Sequence, residues 1–88
     1  MPEETKYPVT PETQADIDNR FVYHAPIGDQ PTRYADIRAE LKKTAEFIIA
    51  RTPKSREQSL VLTKLEEAMF FANAAIARNE KAPQGGVA

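Results

Sequence analysis

The stretch SREQSLVLTKLEEAMFFANAAIARN, residues 55–79, decides how this chain folds. It opens on Ser55-Arg56-Glu57-Gln58, the spacing of a capping box, in which a Ser side chain and a Gln three residues on satisfy each other's backbone donors. Leu62, Leu65, Met69, Ala72 and Ile76 then recur at three- and four-residue steps, with no Pro or Gly between Pro53 and Pro83; this is the periodicity of one apolar helix face. The pattern predicts a helix over about 55–79. Upstream, Thr52-Pro53 closes a second uninterrupted stretch that begins at Pro31. In it Tyr34, Ile37, Leu41, Thr44/Ala45 and Ile48 make a stripe, and Arg33, Arg38, Lys42 and Lys43 lie off that stripe. The prediction there is a helix over about 31–51. At ~1.5 Å per residue both helices come to roughly 30–35 Å. Two matched helices joined by about four residues fold back antiparallel.

Towards the N-terminus, Thr10-Pro11-Glu12 combines a hydroxyl cap, a Pro at the first helical position and an acid near the positive end of the dipole. A short helix over about 11–20 follows, with Ala15 and Ile17 as its few apolar residues. Phe21-Val22-Tyr23-His24-Ala25-Pro26 is an apolar, aromatic segment that its proline pushes towards extended geometry, and Ile27-Gly28-Asp29-Gln30 reads as a turn. Residues 1–9 read as a flexible arm, 10–79 as the helical-hairpin domain and 80–88, with Pro83 and Gly85-Gly86, as a flexible tail. Leu60, Val61, Phe70, Phe71 and Ala74/Ala75 widen the apolar arc of the last helix, and a helix apolar over much of its circumference is covered on several sides. The short first helix could cover part of that arc, its orientation against the hairpin being left open, and the remainder, exposed on a monomer, marks an interface with another copy of the chain. The fold class is therefore all-α: an antiparallel two-helix hairpin preceded by a short N-terminal helix, assembled as a homo-oligomer.

Composition removes many functions. With 88 residues the chain makes one domain at most. No Cys means no disulfide and no thiolate zinc site, and one His builds no histidine-rich metal centre. Twelve Lys+Arg against 13 Asp+Glu, net −1, lack the basic excess of a protein that coats long nucleic acids. No apolar run spans a membrane. The acidic, Pro-containing start MPEETKYPVT is unlike a signal peptide, so a cytoplasmic chain is expected.

No P-loop, G-x-G-x-x-G, H-E-x-x-H or nucleophile elbow is present. Glu66-Glu67 beside Lys64 reads as a solvated helix face. A metal-dependent nuclease or phosphodiesterase would need clustered carboxylates, whereas the acids here are scattered. The expectation is no enzyme, no cofactor and no metal. The Tyr23-His24-Ala25-Pro26 segment has two readings. Its aromatics close the end of the hairpin with His24 hydrogen-bonded and structural, or they offer a stacking surface for a base, with a nearby Arg as a planar fork for phosphate. Arg33 and Arg38 begin the next helix roughly 140° apart around its axis, so one can face this loop and the other a neighbouring subunit. Arg78 interacts with the negative end of its helix dipole or joins symmetry copies of itself around a multiply charged ligand.

Arg20-Phe21-Val22-Tyr23-His24, Asp29-Gln30 and Arg33-Tyr34-Ala35-Asp36-Ile37-Arg38, followed by Ser55-Arg56-Glu57-Gln58-Ser59-Leu60, Thr63-Lys64-Leu65-Glu66-Glu67-Ala68 and Ala72-Asn73-Ala74-Ala75-Ile76-Ala77-Arg78-Asn79, stand in the order of a known helical hairpin. The chain resembles the phage anti-CBASS sponge proteins and related phage inhibitors of the Thoeris defence system over about residues 20–79. That resemblance implies a non-enzymatic protein that binds cyclic oligonucleotide second messengers and keeps them from bacterial effectors. It implies homo-oligomers, typically hexamers, with cyclic dinucleotides between paired hairpins and, in some members, cyclic trinucleotides near the threefold axis. By motif position Tyr23 and Arg38 match dinucleotide contacts, His24 and Pro26 follow as neighbours of Tyr23, and Arg78 is the candidate for the trinucleotide pocket. Arg38 stands where the family carries a basic residue, and an Arg there binds phosphate bidentately where a Lys does not. The competing class is a structural or adaptor module that oligomerises through its hairpin.

Overall fold

The computed structural model describes residues 3–81. Those residues form three helices and no strand: α1 (Pro11–Arg20), α2 (Gln30–Ile49) and α3 (Arg56–Asn79). α1 starts where Thr10 Oγ1 accepts from the Thr13 N–H at 3.2 Å, with Pro11 in the first turn, where an unpaired N–H would otherwise stand. α2 is entered through a tight turn. Gly28 takes φ +53, a left-handed conformation that glycine adopts without a Cβ penalty, and the Gln30 N–H donates to Ile27 O at 3.0 Å.

Ser55 caps α3, its Oγ accepting from the Gln58 N–H at 3.1 Å. The reciprocal half of the capping box does not form. Gln58 Nε2 instead donates to Ile49 O, Thr52 O and Thr52 Oγ1 at 3.3, 2.9 and 3.0 Å. The last carbonyls of a helix lack intrahelical partners; Ile49 O accepts from the Thr52 N–H at 3.5 Å, and the connection curls beneath Gln58 so that its amide serves Ile49 O and Thr52 O as well. α2 stops at Ile49, short of the expected 51, because its exit tightens: Arg51 N–H bonds back only three residues, to Ile48 O at 3.0 Å. The connection therefore takes residues 50–55 rather than about four.

Bonds at both ends make the hairpin antiparallel. Gln58 holds the start of α3 to the end of α2, and Glu80, just past α3, is held by Gln30 and Arg33 at the start of α2. Glu80 falls within the tail expected over 80–88, of which 82–88 lie outside the described residues. Tyr34, Ile37, Leu41, Ala45 and Ile48 are the half-buried apolar residues of one seam, with Val61, Leu65, Met69, Ala72 and Ile76 on the other. Leu62, expected in that stripe, is exposed. Val61 and Leu62 are adjacent, about 100° apart around the helix axis, and the seam takes Val61 and leaves Leu62 at its outer edge.

One seam covers one stripe per helix and no more. Among the described residues no apolar side chain is fully buried, and the only buried residue is Gln30, 3 % exposed. The molecule is 16 Å across its thinnest dimension, close to one layer of helices, whereas a self-sufficient domain packs at least two. α1 does not cover α3. All its residues except Asn19 are exposed, and Ala15 and Ile17 present too little apolar surface to draw it onto the hairpin. Phe70 and Phe71 consequently stay 55 % and 72 % exposed.

Candidate functional site

Where the hairpin opens, the segment after α1, the first two turns of α2 and the last turns of α3 enclose a cleft of about 450 Å³. The helical spacing builds two of its walls. Tyr34 and Arg38 are one turn apart on α2, as are Asn73 and Ala77, and Ala74 and Arg78, on α3. The short side chains of Ala74 and Ala77 leave the space open. Val22, Tyr23 and His24 form the third wall, and Arg20 at the end of α1 completes the lining.

Three guanidinium groups border this cleft. Asp16 engages the Nε of Arg20, accepting at 3.0 and 2.9 Å through its two oxygens, so Arg20 presents only its terminal nitrogens. Arg38 and Arg78 have no ion pair or hydrogen bond with any described side chain. The Tyr23 ring stands 82 % exposed at the rim. His24 is committed through one nitrogen: Nε2, 2.9 Å from Asn19 O, donates to that carbonyl, which folds the segment back on the end of α1 and leaves Nδ1 unbonded. Asn73 Oδ1 is closed from solvent and has no hydrogen-bond partner among the described residues. Such an arrangement suits an anion with a planar, stackable part: guanidinium groups fork onto phosphate oxygens, and an aromatic face accepts a base. Its volume is within the roughly 300–1,000 Å³ of small-molecule sites. Among the described residues no group of His, Asp or Glu could hold a metal ion.

Beside the cleft, the end of α3 is tied to the start of α2. Ile27 N–H donates to Gln30 Oε1 at 3.0 Å, and Gln30 Nε2 donates to Glu80 Oε1 at 3.1 Å. Arg33 Nη1 donates to Glu80 Oε2 at 2.9 Å, Arg33 Nη2 bonds Glu80 Oε1, and Arg33 Nε donates to Asp29 Oδ1 at 3.1 Å. Hydrogen bonds from Arg33 first, and from Gln30 second, hold the Glu80 carboxyl down at about 2. The same carboxylate raises the pKa of Arg33.

Of the residues singled out in the sequence, Tyr23, His24, Arg38 and Arg78 line this one cleft, and Pro26 does not. Arg38 and Arg78, assigned in sequence to different ligands, border the same space. Arg20, Tyr34 and Asn73 were not singled out. The one-turn spacing of Tyr34 and Arg38 is a signal for the first of them; nothing local marks Asn73. The two arginines that begin α2 divide, with Arg38 on the cleft and Arg33 spent on Glu80 and Asp29.

A family model described as the Acb2/Tad1 hairpin domain matches residues 13–77. No curated protein and no solved structure matches the chain. No helix among the described residues is long and apolar enough to cross a membrane.

Proposed function

The chain belongs to the Acb2/Tad1 hairpin family, the anti-CBASS and anti-Thoeris sponges, and on that premise we propose that it is a phage-encoded sponge that binds cyclic dinucleotides, and cyclic trinucleotides, and sequesters them uncleaved in the cytoplasm of the infected cell. The family binds its messengers rather than cleaving them, and a sponge needs affinity and preorganisation, not turnover. The observation that carries this reading is the convergence of Arg38 and Arg78, neither of them paired among the described residues, on a cleft rimmed by the exposed ring of Tyr23. Two cations without partners in one cleft repel each other until an anion enters. In this reading Tyr23 stacks on a base and Arg38 forks onto a phosphate, with His24 beside them in the cleft and Pro26 outside it. Arg78 serves the trinucleotide. Each protomer supplies one such cleft, and a cyclic dinucleotide, with two bases and two phosphates about a pseudo-twofold, matches a pair of hairpins related by a twofold axis.

The thin hairpin with Phe70 and Phe71 uncovered supports assembly into a homo-oligomer, a hexamer in our reading. A structural oligomerisation module would account for the same apolar face but gives no reason for the unpaired guanidinium groups.

Isothermal titration with cyclic di-AMP tests the assignment. Losing a charge-assisted hydrogen bond of ~1.5–3 kcal/mol weakens binding roughly 10- to 150-fold for Arg38→Ala. Losing base stacking worth ~1–3 kcal/mol weakens it by about 5- to 150-fold for Tyr23→Ala. Light scattering should return the parent's mass for both variants. Two variants that bind as the parent does contradict the site.

A further inference from the structure

Arg78 lies on the last turn of α3, where a helix frays unless something holds it. Here something does. Two residues beyond Arg78, Glu80 takes three hydrogen bonds, two from Arg33 and one from Gln30. Gln30 is the one buried residue among those described, and its other amide atom is engaged by the Ile27 N–H. Ile27 is three residues past His24, and Arg33 is one residue before Tyr34. One carboxylate therefore joins the segment carrying Tyr23 and His24, the helix carrying Tyr34 and Arg38, and the helix end carrying Arg78. The matched family region ends at residue 77, before Glu80.

We propose that Glu80 is a positioning residue for the cleft: with Gln30 and Arg33 it forms a clasp that fixes Arg78 and the Tyr23–His24 segment relative to Arg38, so that the guanidinium groups are set before ligand arrives. The proposal rests on the ligand-binding reading above. Glu80 itself does not line the cleft, and Arg33, whose three nitrogens each bond a carboxylate, is drawn away from phosphate. An exposed ion pair alone contributes little, but a forked pair within a network is the exception. Preorganisation of this kind raises affinity by lowering the ordering cost of binding.

The test compares Glu80→Ala with the parent and with Lys81→Ala, its exposed neighbour, well below their melting temperatures. Amide hydrogen exchange reads the last turn of α3, and titration with cyclic di-AMP and cyclic tri-AMP reads the cleft. Glu80→Ala should speed exchange at Ala77–Asn79 and weaken binding about fivefold, the equivalent of ~1 kcal/mol for such a pair. Lys81→Ala should change neither. Exchange in Glu80→Ala equal to the parent's overturns the clasp, whatever the ligands do. Faster exchange with parental affinity overturns the positioning role. A parent that binds neither probe contradicts the sponge reading instead, a failure the exchange measurement keeps distinct.

Discussion

Replacing Gln30 by Ala probes the one place where this thin molecule has an interior. The side chain is 3 % exposed and its amide is used at both ends: Oε1 accepts from the Ile27 N–H at 3.0 Å and Nε2 donates to Glu80 at 3.1 Å. Alanine leaves the Ile27 donor without its acceptor in a partly buried turn, which costs about 1–2 kcal/mol. The bond to Glu80 adds little, because that carboxylate is solvated and keeps Arg33. A domain of 60–100 residues shifts by ~4–8 °C per kcal/mol, so Gln30→Ala should melt roughly 5–15 °C below the parent. Circular dichroism at 222 nm, with protomer concentration fixed because an oligomer's melting temperature depends on it, reads this directly. Gln14→Ala is the control: Gln14 also donates to a carboxylate, Asp18 at 2.8 Å, but on the exposed face of α1, and its loss should move the melt by no more than about 2 °C. Gln30→Ala melting with that control would refute the claim that this buried amide organises the open end of the hairpin.

Two further outcomes follow from the same geometry. Glu80 is depressed from 4.5 to about 2, so the stability it contributes is fully present above pH 4.5 and is lost as pH falls towards 2; the melting-temperature gap between the parent and Glu80→Gln should be constant from pH 7 to about 5 and close by about pH 2, and a gap that persists there contradicts the pairing. Phe71 is 72 % exposed, leaving on the order of 100–150 Å² of ring for a partner to cover, worth about 3 kcal/mol at most; Phe71→Ser should weaken self-association about a hundredfold in sedimentation equilibrium, and an assembly of unchanged mass and affinity would show that this face is not the interface.

How much of this was legible in the sequence depends on how local the cause is. The caps of α1 and α3 were, because Thr10 and Ser55 act within three residues, and the hairpin followed from two stretches free of Pro and Gly. What eluded reading depends on residues far apart in the chain. Glu80 looked like the first residue of a tail because its partners, Gln30 and Arg33, are 50 and 47 positions away. Gln58 fits the capping box, yet acceptors at the end of α2 and in the connection after it, Ile49 O and Thr52, won its amide. Val61 rather than Leu62 turns inward, a one-residue shift that apolar periodicity does not resolve when both positions are apolar. In the site, Tyr23, His24 and Arg38 were read as parts of one dinucleotide site, but Arg78 was assigned to a separate one; that it borders the same cleft is a property of how the end of α3 returns to the start of α2. Pro26, named as a neighbour of Tyr23 in sequence, is not a neighbour in the cleft lining.

If the cleft holds a cyclic oligonucleotide, that ligand stabilises the folded chain. Thermal unfolding of the purified chain with cyclic di- and trinucleotides, beside linear dinucleotides and ATP, tests it most directly. A ligand at a hundred times its dissociation constant adds about 2.7 kcal/mol, or roughly 10–20 °C for a domain of this size. Such a rise is expected with at least one cyclic compound, little with the linear ones, and the ligand should be recovered intact after denaturation. No shift with any cyclic compound, or an equal shift with linear dinucleotides and ATP, would contradict it.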